Sequence, residues 1–166
     1  MIALHDFNHL PHEKALALIH PCVALPGWAD ALALGRPYAS REELFDTANA
    51  LTQNWDEAAL AQALSAHPRI GEKPAGSQAE AALSRQEQGA VNEGDAALAR
   101  ALREGNARYE ARFGRVFLIR AKGRSGEEIL QALHARLENS DAQEVRAALE
   151  QLREITLLRL EGVISE

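Results

Sequence analysis

Cysteine is almost absent from this chain of 166 residues, where Cys22 stands alone. One thiol cannot close an intramolecular disulfide or supply a cysteine-based zinc site. Long apolar runs are missing as well, and none reaches the length that spans a bilayer. There is no basic cluster. The charges interleave and the formal net charge is −6, which argues against nucleic acid as a partner. The opening MIALHDFNHLPHEK has no basic start followed by a long apolar core, so it does not read as a secretory signal. The closing GVISE is not a peroxisomal tripeptide. These absences lead to the expectation of a soluble, cytoplasmic protein with no membrane partner.

What is present is mostly helix-forming. Hydrophobic residues make up 46% of the chain, enough for a core, and the length suggests one domain over residues 1–166. PHEKALALIH predicts a first helix, and PGWADALAL a second that ends before GRP. SREELFDTANAL begins with a capping box of Ser40 and Glu43. NWDEAALAQALSA repeats it with Asn54 and Glu57, SQAEAALSRQEQGAV with Ser77 and Glu80, and SGEEILQALHARLEN with Ser125 and Glu128. DAALARALREGNARYEARF predicts a long helix stopping at Gly114. A last helix is predicted over residues 140–164, with Leu149, Leu152, Ile155 and Leu158 as its buried stripe. With no repeat or long linker, the expected fold is all-α, a single-domain helical bundle with short loops.

RVFLI, residues 115–119, departs from this pattern. It is apolar, partly β-branched and lies between Gly114 and Gly123, so it reads as a strand. No other segment is a convincing strand partner. The backbone of a buried extended stretch, here near residues 115–121, must then find side chains, water or a ligand. It is either a stiff connector filling the core or a segment whose end, IRAKG, offers backbone hydrogen bonds to a planar polar ligand.

Several polar residues are candidates for chemistry. Pro68 disfavours helical geometry at His67, so the preceding helix must stop near Ala66 and the imidazole leaves it at a fixed place. Histidine titrates near neutrality and can move a proton at working pH. The plainer alternative is a solvated ring at a helix end. Ser84, Glu87 and Gln88 fall at i, i+3 and i+4 of one helix and share a face. That face is either ordinary solvated surface or a patch in which Glu87 orients His67 while the other two hold amide edges. Arg159 lies on or near the apolar stripe of the last helix. It either snorkels at the rim or is buried against a carboxylate, internal or on a substrate. His5, His9 and His12 have helical ligand spacing, but Pro11 interrupts the helix and no carboxylate cage is well placed, so no metal is expected there.

Taken in order, HPRIGE, SRQEQ, YEARFGRVFLIRAKGRS and ILQALHARLEN resemble the OHCU decarboxylase family, OHCU being 2-oxo-4-hydroxy-4-carboxy-5-ureidoimidazoline, an intermediate of urate breakdown. PCVALPGWADALALGRPY is similar to that family's Cys, Trp and Arg-Pro landmarks, so the resemblance covers nearly the whole chain. It implies an all-helical decarboxylase that makes (S)-allantoin without a cofactor, and suggests a homodimer. Residue by residue, it implies a catalytic His67 with Glu87 as the acidic partner. It implies substrate binding by Pro68, by Ser84, Arg85, Gln86, Glu87 and Gln88, by Ile119, Arg120, Ala121, Lys122 and Gly123, and by Arg159. Two rivals stand beside it. A helical adaptor would carry an exposed apolar patch, and no helix shows a clear second stripe. A hydrolase acting on another cyclic amide could use a His–Glu pair to activate water.

Overall fold

Short polar side chains and prolines set most of the helix boundaries in the computed structural model, which describes residues 1–67, 69–70, 79–88 and 95–166. These residues form two compact units, Met1–Ala63 with Arg153–Glu166, and Leu64–Leu152. The architecture is the expected all-α one, with two two-residue strands among the described residues.

In the first unit, strand β1 (Ile2–Ala3) leads into helix α1 (Leu4–His9), which the sequence reading did not anticipate. Leu10 and Pro11 break the path before α2 (His12–Ile19), because proline cannot continue a helix from its interior. A 3-10 turn over His20–Cys22 follows, and then α3 (Pro26–Leu34), with proline at its first position. The guanidinium of Arg36 collects the carbonyls of Phe7, Leu10 and Ala33 at 2.7–2.8 Å. It thereby adds to the turn bonds that the Leu10 and Arg36 amides make to Phe7 and Ala33 at the two helix ends. Trp28, buried on α3, donates its indole N–H to the carbonyl of Ala48 on α4 (Arg41–Ala50) at 3.1 Å. Ser40 caps α4 as predicted, accepting from the Glu43 amide at 3.0 Å. The Glu43 carboxylate, however, reaches past Ser40 to the amide of Ala39. For α5 (Glu57–Leu64) the predicted cap at Asn54 is wrong. Residues 51–54 are taken up in a turn, and Asp56 accepts from the Ala59 amide at 2.9 Å instead.

In the second unit lie α6 (Ala79–Glu87), α7 (Ala96–Phe113) and α8 (Gly126–Arg136). Ser77 lies outside the described residues. Asp95 caps α7 through the Leu98 amide, and Gly114 ends it at φ +71°, a left-handed conformation that glycine adopts without penalty. The predicted box at α8 forms in full, with Ser125 and Glu128 each accepting from the other's backbone. Helix α7 packs along α8. Their facing side chains, Leu102, Tyr109, Ile129 and Leu133, are essentially inaccessible to water and share one core cluster with Phe117. Full burial of side chains of this size contributes about 1.5–3 kcal/mol each.

Helix α9 (Asp141–Glu161) closes the chain. It stops at Glu161, short of the predicted Ile164, because residues 164–165 turn into strand β2 (Ile164–Ser165), parallel to β1 with Ile2 opposite Ile164. Its stripe holds at Leu149, Leu152 and Ile155 but not at Leu158, which is only partly buried. Strict threes drift off a helix of 3.6 residues per turn, so Thr156 and Arg159 occupy the buried line instead. Residues 115–119 belong to no strand ladder. Phe117, Ile119 and Ala121 nevertheless enter the same core cluster, the two-residue period of an extended chain.

Candidate active site

His67 follows α5 by a short turn. The helix ends at Leu64, and the amide of His67 donates to the Leu64 carbonyl at 3.1 Å. The histidine is half-buried, with its Nε2 screened from solvent. That excludes the reading of a freely solvated ring. The residues just beyond it are tied to α7. Arg69 forms a two-pronged pair with Glu110, its Nε lying 3.0 and 3.1 Å from the two carboxylate oxygens. The carbonyl of Ile70 accepts from the Asn106 side chain at 2.9 Å. Arg69 and Ile70 thus anchor the chain just after His67 to α7. Pro68 lies outside the described residues.

On α6, Ser84 is buried, Glu87 and Gln88 are half-buried, and Gln86 is exposed. The Gln88 amide still closes a helical turn onto the Ser84 carbonyl at 3.1 Å. The polar trio therefore occupies the sheltered side of the helix, against the reading of a solvated face. Arg85 lies in the same helix.

The extended stretch carries Ile119 and Ala121 into the core, leaves Arg120 half-buried and exposes Lys122 and Gly123. Gly123 has φ +82°, where any other L-residue is strained. The backbone partners that the sequence could not supply come from side chains. Arg136 Nη1 donates to the Leu118 carbonyl at 2.6 Å, and the Arg120 amide donates to the Gln151 side-chain oxygen at 2.9 Å. The Arg124 amide closes the following turn onto the Ala121 carbonyl.

His67, residues 84–88 and residues 119–123 all belong to the second unit, and Arg159 to the first. Arg159 is 3% exposed, so it does not snorkel, and its Nη1 faces the carbonyls of Pro21 and Cys22 at 3.3 and 3.5 Å. The amino-terminal histidines are engaged locally. His9 donates to the His5 carbonyl at 2.7 Å, and His12 lies 3.2 Å from Asp30. No group of His, Cys, Asp or Glu suited to a metal occurs among the described residues.

The sequence reading missed Glu110, Asn106, Arg136, Glu144 and Gln151. Glu110 lies within the motif YEARF, and Arg136 within HARLEN. Both motifs had carried the family resemblance without any chemical role attached.

The family model for OHCU decarboxylase matches residues 8–161. The chain belongs to the OHCU decarboxylase family. It is 34% identical over 149 residues to a 2-oxo-4-hydroxy-4-carboxy-5-ureidoimidazoline decarboxylase of Amia calva, covering 87% of this chain and 81% of that one. It is 31% identical to a bifunctional uric acid degradation protein of Arabidopsis thaliana, of which it spans 46%. A crystal structure of an OHCU decarboxylase, solved in the presence of (S)-allantoin, superimposes with a TM-score of 0.73 at 27% identity, covering 88% of this chain and 96% of that one.

Proposed function

We propose that this OHCU decarboxylase converts its substrate to (S)-allantoin in urate degradation through His67 and Glu87. Family membership over residues 8–161 carries the activity. The sheltered setting of His67 supports its role as the proton-handling group.

The reaction breaks the bond between the carboxylate carbon and the ring carbon that also bears the hydroxyl. The released electron pair moves between that ring carbon and its ureido-bearing neighbour, and the adjacent C=N nitrogen takes up the displaced pair. The enol so formed gains a proton on one face of the ureido-bearing carbon as its hydroxyl becomes a carbonyl. Because the substrate holds its own electron sink, the protein needs to supply orientation, charge placement and proton transfer. A cofactor-free mechanism follows from that chemistry. His67 and Glu87 manage the hydroxyl and carboxylate. Ser84, Gln88 and the backbone of Ile119–Gly123 grip the ureido and ring amides. The enzyme is taken to be a cytoplasmic homodimer, and light scattering after size-exclusion chromatography checks the assembly.

The deciding experiment supplies freshly generated OHCU and follows optical activity. Rapid formation of dextrorotatory (S)-allantoin is expected, and a slow racemic product would overturn the reading. His67→Asn should lose at least about 100-fold in turnover while staying folded. Full activity in that variant would remove His67 from the mechanism.

A further inference from the structure

Decarboxylation as proposed gives no task to HARLEN, residues 134–139, yet Arg136 and Asn139 join a polar cluster inside the second unit. Glu144 lies at its centre and is fully buried. One carboxylate oxygen accepts from the Tyr109 hydroxyl and from Arg136 Nε, each at 2.7 Å, and Arg136 Nη2 also pairs with it. The other oxygen accepts from the Asn139 side chain at 3.0 Å. A carboxylate can be held out of water when its lone pairs are met in this way. Burial, and then the bond to Glu144, push the ionisation of Tyr109 well above the usual tyrosine range, so its hydroxyl remains a donor.

This cluster fixes the guanidinium of Arg136, which also lies 4.6 Å from the centroid of the Phe117 ring. The nitrogen pointing away from Glu144, Nη1, donates to the Leu118 carbonyl. From a neighbouring position Gln151 accepts from the Arg120 amide. In an extended chain the carbonyl before a residue and the amide after it point to one edge, while that residue's own amide and carbonyl point to the other. Arg136 and Gln151 therefore occupy a single edge of residues 118–120, and the amide and carbonyl of Ile119 face the opposite one.

We propose that Arg136 and Gln151 are positioning residues that brace one backbone edge of residues 118–120 so that the other edge meets the amide groups of the substrate. The proposal rests on the reading that Ile119–Gly123 binds substrate. It gives HARLEN a task, since its arginine sets the backbone against which the ureide is held. It also predicts a particular kinetic signature. Loss of a brace loosens ground-state binding of substrate and product alike, without touching the group that moves the proton.

The test measures KM, kcat and inhibition by (S)-allantoin. Gln151→Met keeps the length of the side chain and removes the acceptor. It should raise both KM and the allantoin inhibition constant roughly five- to tenfold, the scale of one neutral hydrogen bond. Its kcat should stay within about twofold and its melting temperature close to wild type. Gln151→Glu keeps the acceptor and should recover most of the binding. Arg136→Lys keeps the charge beside Glu144 without the fork, and should move the same two constants in the same direction. A folded Gln151→Met enzyme with wild-type KM and inhibition, or with only kcat reduced, overturns the brace. Gly123→Val separates ligand binding by the segment from the brace behind it. If it weakens allantoin binding while Gln151→Met does not, the segment binds ligand and the brace is wrong. If neither variant affects allantoin, the substrate-binding reading of the segment falls as well.

Discussion

Each compact unit contains a short stretch outside the helical pattern, and the two stretches satisfy their backbones by different means. In the first unit, Ile2–Ala3 and Ile164–Ser165 pair main chain to main chain, with Arg41 adding a bond to the Ile164 carbonyl at 2.9 Å. In the second unit, residues 115–121 lie against the core, and the partners of Leu118 and Arg120 are the side chains of Arg136 and Gln151. A backbone ladder is indifferent to most side-chain identities. A side-chain brace depends on particular residues and can hold one edge while leaving the other to a ligand. The first arrangement suits closing the fold, the second a binding surface.

The sharpest way to break this contrast is Arg136→Met. It should remove the brace and leave Glu144 buried without its cation, a loss of about 3–5 kcal/mol in denaturant unfolding. A loss below about 1 kcal/mol would mean that the cluster does not hold the segment. On the ladder side, Ile164→Ala should cost about 2–4 kcal/mol through lost core volume while leaving KM unchanged, since Ile164 is fully buried. A changed KM there would blur the division between the two stretches. Tyr109→Phe removes one of the donors to Glu144 and should cost about 1 kcal/mol near neutrality. It should also flatten the alkaline limb. The folded protein raises Tyr109 above its ordinary value of 10.0, so this stability is complete below that value and is lost as pH rises beyond it. Unfolding measured at about pH 9 and about pH 11 should therefore differ more for wild type than for the variant. The smallest effect belongs to Ser165→Ala, whose hydroxyl makes a long 3.4 Å bond to the Ile2 carbonyl. A few tenths of a kcal/mol is expected in the same assay.

Local chemistry made much of this architecture legible. Ser40, Asp95 and Ser125 stand where helices begin, Gly114 where one ends, and Pro26 at a first helical position. What stayed hidden depends on contacts distant in sequence. Residues 164–165 form a strand because Ile2 lies beside them, and nothing in GVISE announces that neighbour. Asp56 displaced Asn54 as a cap because a turn had already consumed the intervening residues. In the site, the i, i+3, i+4 spacing correctly put Ser84, Glu87 and Gln88 on one face, while the sheltering of that face came only from packing. Periodicity drew attention to Arg159 and passed over Arg136, whose guanidinium meets the buried carboxylate of Glu144. Arg136 sits in the last turn of its helix, where a cation is ordinarily explained by the helix dipole.

The parallel pairing of Ile2 with Ile164 also separates the order of the chain from the shape of the first unit. Because the two stretches lie side by side, a flexible linker of roughly six residues is long enough to run from beyond Ser165 back to Met1. Residues beyond Ser165 could then be joined to Met1 and the polypeptide opened at an exposed loop, giving a circularly permuted enzyme. In such a molecule the pair would be two parallel strands joined by a short crossover. Its closure would no longer require the two ends of a long chain to find each other, and folding would lose one of its most sequence-distant contacts.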